Sequence, residues 1–270
     1  MNIFVFVAAL AGLLIGGVIN LLADDLPESG LLRLPHYADG TPRPLVAWLG
    51  LSAFISGKRA GPDGKAMSWR YPAVEAVTAL LFAETAAEYG FSDMTVFWMG
   101  ILAILVLITV IDLEHRLILF VVMIPAYIYA FIGAALFNQQ INDKIVFRDY
   151  LFGGLFGFLI FFVLYLGGIL FTVIMENVRH EEMEEVAFGY GDVMLATLSG
   201  LILGWQALIF AMFIAIFAGA AGALLYLGAR MLVKGKYELF TALPYGQYIV
   251  IGTIIMMLWR APLINYLQGG

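Results

Sequence analysis

Two aspartates stand where a carboxylate is costly. Asp112 closes a long apolar run, in Ile-Thr-Val-Ile-Asp-Leu-Glu-His-Arg over residues 108–116, and Asp192 opens another, in Gly189-Tyr190-Gly191-Asp192. An acid inside or at the edge of an apolar helix is a functional candidate by default. Two carboxylates in one partly dry site cannot easily both ionise, so one keeps its proton while the other is charged. The charged one can then take a proton from water while the protonated one polarises a carbonyl, as in the aspartic proteases. Gly189 and Gly191 suit such a site, because glycine lets backbone approach closely and leaves N–H and C=O groups open beside the acid. The plainer reading stands next to this one. An Asp at a helix N-terminus is favoured by the helix dipole with no catalysis at all, and a lone Gly-x-Gly-Asp is a weak motif.

The elements that must hold these residues are membrane helices. The chain has 270 residues, 63% of them hydrophobic and 13% charged, against about 45–50% and about 25% in a soluble domain. Mean hydropathy is +0.95. These values exclude a soluble enzyme, a nucleic-acid binder and a disordered chain. With no Cys there is no disulfide, thiolate zinc site or iron–sulfur cluster. The expected fold is all-α, a polytopic membrane protein of about eight transmembrane helices with one cytoplasmic loop region. The apolar runs place spans near residues 2–23, 72–90, 95–113, 117–137, 150–175, 191–204, 206–230 and 245–262. The second carries Glu75, Glu84 and Glu88 and is the least apolar, while the sixth is short, which suggests a partly broken or re-entrant start. The first lacks the basic flank and short core of a signal peptide and reads as a retained helix. Eight spans sort the 14 basic residues 11 to 3 across the membrane, so the positive-inside rule puts the Asp24–Tyr71 loop, Asp112 and Asp192 on the cytoplasmic side.

Other residues bear weighing. Glu184 and Glu185 belong to an acidic run before the glycine motif, either a solvated loop or an attractor for a basic peptide. His115 lies one helical turn from Asp112, either tuning the acid or resting at a helix end. Arg70 and Glu75 can pair across the start of the second helix, and Asp24-Asp25 end the first as a hydrated terminus or meet basic substrate residues. His36 carries no signal, and three scattered His make no metal site.

At this point the residues resemble the type IV prepilin peptidases, a family of intramembrane aspartyl proteases. The Asp112 segment followed by Gly189-Tyr190-Gly191-Asp192-Val193 looks like the two catalytic motifs of that family. Residues 16–27, Gly-Gly-Val-Ile-Asn-Leu-Leu-Ala-Asp-Asp-Leu-Pro, resemble the end of its first helix. Ser68-Trp69-Arg70-Tyr71-Pro72-Ala73-Val74-Glu75 resembles its Arg-Tyr-Pro-x-x-Glu motif, and residues 243–252 resemble its last helix. The resemblance implies that Asp112 and Asp192 form a catalytic pair supported by Gly189 and Gly191. It implies cleavage of a short basic leader from prepilins or pseudopilins at the cytoplasmic face of the bacterial inner membrane. It also implies N-methylation of the new terminus with S-adenosylmethionine as cofactor. Asn20, Arg70, Glu75, Glu184 and Glu185 are then candidates for substrate or cofactor binding. Residues 1–90 correspond to a methyltransferase-like region and 91–270 to a six-helix protease region. The expected partners are prepilins and the lipid bilayer, with no nucleic acid.

Three departures sharpen the comparison. Many members carry four cysteines in the first loop, where this chain has Arg59 to Lys65 without one, so no metal is expected and the loop must hold itself by packing. Ile118-Leu119-Phe120 stands where the family often has Ile-Pro-Asp or Ile-Pro-Asn, and Met194 where it usually has Lys. Alternatives are a peptidase-only or methylation-only homologue, a presenilin-type protease, or a proton-coupled transporter, which would want a midplane site and inverted repeats.

Overall fold

The computed structural model describes residues 3–28, 30, 32–141, 147–179, 189–234 and 245–260. Among these residues there is no β-strand, only two isolated bridges, His36 with Pro42 and Ala60 with Ala66. Nine α-helices follow one another among the described residues: α1 Ile3–Glu28, α2 Gly50–Ile55, α3 Arg70–Tyr89, α4 Asp93–His115, α5 Phe120–Ile141, α6 Phe147–Arg179, α7 Tyr190–Leu203, α8 Trp205–Lys234 and α9 Gly246–Leu258. Eight of these correspond to the expected spans, and most run a few residues past the apolar windows because polar ends stay helical. Five of them, α1, α4, α5, α6 and α8, are long and apolar enough to cross a bilayer, so the chain is a multi-pass membrane protein. The acids of α3 and the short lengths of α7 and α9 keep those three below the same criterion. The chain divides into two compact units, residues 1–122 and 123–270.

In the first unit α1 packs along α3, and α4 packs on both. The α1–α3 approach is set by glycines one turn apart. A methyl group on Gly12 would sit 2.6 Å from the Thr78 carbonyl oxygen, and one on Gly16 would sit 2.6 Å from Cα of Glu75. Small residues at this spacing let helix backbones meet in lipid, where packing drives association. Ser92 caps α4 by accepting the Thr95 N–H at 3.1 Å. Arg116 ends it in the left-handed region, φ 54°, with its N–H donating to the Asp112 carbonyl at 2.9 Å.

The first loop does hold itself by packing. Buried Tyr37 lies against Gly61 and donates its hydroxyl to the Lys58 carbonyl at 2.8 Å, tying the turn at 36–42 to the turn at 60–66. The Arg43 guanidinium donates to the His36 carbonyl at 2.6 Å. Asp25, expected as a hydrated helix end, is instead fully buried and takes both the backbone N–H and the side chain of Arg33 at 2.7–3.1 Å. His36 has a place after all, with Nε2 3.8 Å from Asp25.

In the second unit α7 lies against α6 and α9. Gly153 and Gly157 of α6 face Gly200 and Ala196 of α7 so closely that a methyl on Gly200 would stand 2.1 Å from the Gly153 carbonyl oxygen. Gly153 therefore serves close packing, whereas Gly167 has open space around it. Thr253 of α9 donates to Ser199 of α7 at 2.7 Å. Gly204, with φ 77°, is the single residue between α7 and α8, a left-handed turn that favours glycine.

Candidate active site

Asp112 lies in the last turn of α4. It is 8% exposed, and its Oδ2 has no hydrogen-bond partner among the described residues. A buried carboxylate oxygen left in this state costs free energy comparable to a lost charged hydrogen bond, so α4 carries a group that folding alone does not favour. Glu114, two residues on, is held by Arg70. Half-buried His115 follows, within the same turn.

Arg70 is the hub of this end of the first unit. One arm of its guanidinium donates to Asp24 of α1 and another to Glu114 of α4, and its plane lies 4.3 Å from the centre of the Tyr71 ring. Tyr71 donates its hydroxyl to Asp24 at 2.9 Å, and the Arg43 guanidinium lies 4.6 Å from the centre of the same ring. Burial, the largest single influence, disfavours the charged guanidinium, but Asp24, Tyr71 and Glu114 together outweigh it and hold Arg70 above its ordinary value. Only arginine's planar fork can serve two carboxylates and a ring at once. The pairing expected between Arg70 and Glu75 is thus replaced by Arg70 with Asp24 and Glu114. A cavity of about 250 Å³ opens beside this network, lined by Asp24, Tyr37, Arg43, Lys65, Met67, Arg70, Tyr71 and Glu114 among others. Arg70 Nε is buried there without a partner among the described residues.

Glu75 and Asn20 do a different job. Glu75 is 1% exposed. Its Oε1 accepts the Gly50 N–H and its Oε2 the Leu51 N–H, the latter at 2.7 Å. The side chain therefore caps the N-terminus of α2, supplying acceptors for two orphan donors. Buried Asn20 of α1 donates to the Tyr71 carbonyl at 3.0 Å, pinning the start of α3. Neither residue lines the cavity.

In the second unit Asp192 sits in the first turn of α7. Its backbone N–H donates to the Gly189 carbonyl at 3.1 Å, and its Oδ2 accepts the Gly189 N–H at 3.3 Å. This reciprocal pair fixes the carboxylate over the positive end of α7. Gly189 has ordinary extended geometry, φ −81°, and a methyl there would meet nothing closer than 3.8 Å. Its lack of a side chain keeps space open beside Asp192 rather than serving an unusual turn. Gly191 lies between, half-buried, within the same turn. Met194, two residues beyond the acid, is buried in this unit, and its carbonyl accepts the Tyr127 hydroxyl at 2.9 Å. An apolar side chain is what that position takes. Glu184 and Glu185 lie outside the described residues. Among the described residues no group of three His, Asp or Glu is placed to hold a metal.

Sequence reasoning named Asp112, Asp192, Arg70 and Glu75 but missed Glu114 and Asp24 as partners of Arg70. Their only signal was charge at three helix ends predicted to lie at one membrane depth.

Comparison with known proteins places these residues in context. Residues 99–224 match the model of the type IV leader peptidase family. The prepilin leader peptidase/N-methyltransferase of Pseudomonas aeruginosa is 28% identical, over 98% of this chain and 94% of its own length. The protein of the same name from Stutzerimonas stutzeri is equally similar over the same shares, and that of Bacillus subtilis is 27% identical over 75% of this chain and 71% of its own. No solved structure matches. The resemblance read from the motifs thus extends over nearly the whole chain, and both Asp112 and the Gly189–Asp192 motif lie within the residues that match the type IV leader peptidase family.

Proposed function

We propose that this protein removes the leader peptide from prepilins or pseudopilins by aspartyl proteolysis, with Asp112 and Asp192 as the two carboxylates. The observation that carries the proposal is the buried, unpartnered Oδ2 of Asp112 at the end of a membrane-length helix, within the region that matches the leader peptidase family. One carboxylate, ionised, takes a proton from water as its oxygen attacks the scissile carbonyl. The other, protonated, donates to the carbonyl oxygen. Collapse of the tetrahedral intermediate breaks the C–N bond as the leaving nitrogen gains a proton. The scissile segment must be extended, since a helix hides its carbonyls, and strand-like pairing with the open backbone at Gly189 is the expected mode of binding. The distribution of basic residues supports a site on the cytoplasmic face of the bacterial inner membrane.

The relatives' names support a second step, N-methylation of the new terminus. S-adenosylmethionine would supply the methyl group to the freed amine. The cavity beside Arg70 fits such a donor by chemistry, with Arg43, Lys65 and Arg70 for a carboxylate and Asp24 and Glu114 for cationic groups. Asn20 and Glu75 support that cavity from behind by fixing α3 and α2. The test uses the full chain in bilayers with a prepilin, with and without S-adenosylmethionine, and mass spectrometry of the product. The expected result is cleavage abolished by either Asp112→Asn or Asp192→Asn. Cleavage retained by both variants overturns the dyad. An unmethylated product with the cofactor present reduces the reading to a peptidase alone, and no cleavage by the wild type favours the transporter.

A further inference from the structure

The first loop looked like the soluble part of the protein, yet its residues 45–55 are turned inside out for a soluble segment. In this stretch the small residues face inward: Ala47 and Ala53 are 0% exposed, and a methyl on Gly50 would strike Tyr71 and Pro72 at under 3 Å. The large apolar residues face outward, with Leu45 76% and Ile55 81% exposed. Leu51 and Ile55, four apart on α2, fall on one face of it and are exposed, and Trp48 just before α2 is exposed as well. The Trp48 ring nitrogen is satisfied by the Arg43 carbonyl at 3.2 Å, so the exposed part of that ring is its apolar body.

The depth of this segment is fixed by two contacts. Leu49 packs on Gly17 of α1, seven residues before Asp24, and therefore about 10 Å further along the helix axis from the charged end. Glu75, which caps α2, is likewise five residues inside α3 from Arg70. The α1 side chains at that level, Leu14 and Val18, are themselves exposed on a helix of membrane length. Beyond α2, Lys58 and Arg59 are exposed cations, placed as headgroup anchors would be. Non-helical backbone at membrane depth needs its polar groups satisfied within the protein, and the buried Glu75 carboxylate does this for the first N–H groups of α2.

We propose that residues 45–55 form a re-entrant element that lies in the bilayer, its Leu45, Trp48, Leu51 and Ile55 side chains against acyl chains and Lys58–Arg59 at the headgroups. The inference is independent of the proteolytic reading. The chain contains no cysteine, so a single nitroxide can be attached without altering native thiols. In the full-length protein in phosphatidylethanolamine/phosphatidylglycerol nanodiscs, labels at Leu51→Cys and Ile55→Cys are compared with Val18→Cys on α1 and Asp63→Cys in the exposed turn. Collision with oxygen should exceed collision with a water-soluble nickel chelate severalfold at positions 51 and 55, as at 18, and the ratio should invert at 63. A nickel-dominated ratio at both 51 and 55 overturns the proposal. So does low collision with both reagents, which would mean a protein segment covers this face. Two labelled positions keep the test valid if one variant fails to fold.

Discussion

Gly200 offers a direct test of how the second unit is built. Replacing it with Ala puts a methyl carbon 2.1 Å from the Gly153 oxygen, 2.3 Å from the Gly153 carbonyl carbon and 2.7 Å from the Gly154 nitrogen. All three obstacles are backbone, so no side chain can swing aside, and α6 and α7 must part by about 1 Å at this point. Overpacking of this kind costs about 1–3 kcal/mol, with the upper end expected where backbone must move. Working against it, Ala in place of a helical Gly gains up to about 1 kcal/mol. Gly167→Ala on α6 isolates that gain, because nothing lies within 4 Å of the added methyl. The propensity term cancels between the two variants, leaving Gly200→Ala less stable than Gly167→Ala by about 1–3 kcal/mol. The measurement is unfolding by sodium dodecyl sulfate titration in mixed micelles, followed by circular dichroism. On the proteolytic reading, because Asp192 lies eight residues away on the same helix, about 12 Å along its axis, cleavage of a prepilin should fall in Gly200→Ala and not in Gly167→Ala. Equal stability of the two within about 0.5 kcal/mol, the scatter of a neutral surface change, would refute the reasoning.

Glu75→Ala removes both acceptors at the N-terminus of α2 and should cost about 2–6 kcal/mol, one to three for each N–H left bare; faster protease cutting within residues 45–60 would report the release of that segment. Arg33→Ala strips fully buried Asp25 of its guanidinium donors at 2.9 and 3.1 Å while leaving the backbone N–H of residue 33 in place. Because the Arg33 side chain is about half exposed, the expected loss is near the lower end for breaking a buried pair, about 2–3 kcal/mol, read by the same titration. Arg70→Lys keeps the charge but not the fork, so Asp24 and Glu114 can no longer be held together. On the proteolytic reading this should lower kcat/KM for prepilin cleavage more than it lowers stability, and unchanged kinetics would show that the network does not position α4.

The fold was legible because a bilayer imposes one rule on backbone, and helix-length apolar runs obey it. The boundaries of α1, α3 and α7 fell within a few residues of the apolar windows, since Gly90 and Gly204 and the polar helix ends mark them. Asp112 and Asp192 were visible as the acids that apolar runs should not carry. What escaped the sequence were the pairings: Arg70 was matched with Glu75 by proximity along the chain, whereas its partners come from 46 and 44 residues away. The burial of Asp25 was hidden for the same reason, because its partner Arg33 lies beyond the end of α1 and the fold of the loop decides whether it reaches back. The packing of residues 45–55 was hidden too, since Gly, Pro and Ser in a long loop suggest solvent, and the contacts of Leu49 with Gly17 and of Glu75 with the start of α2 exist only in the fold.

The helix that carries Asp112 is the most buried of the five span-length helices, and its neighbours are α1 and α3. The border suggested by function, at residues 90 and 91, therefore does not follow the border drawn by packing, at 122 and 123. A shortened descendant that kept only residues 91–270 would expose a helix shaped to be covered and would strand Glu114 without Arg70. Loss of the N-terminal half by simple deletion is thus closed to this architecture. On the proposed function, a lineage that shed methylation would do so by changing side chains around the Arg70 cavity while keeping α1 and α3 as the scaffold of α4.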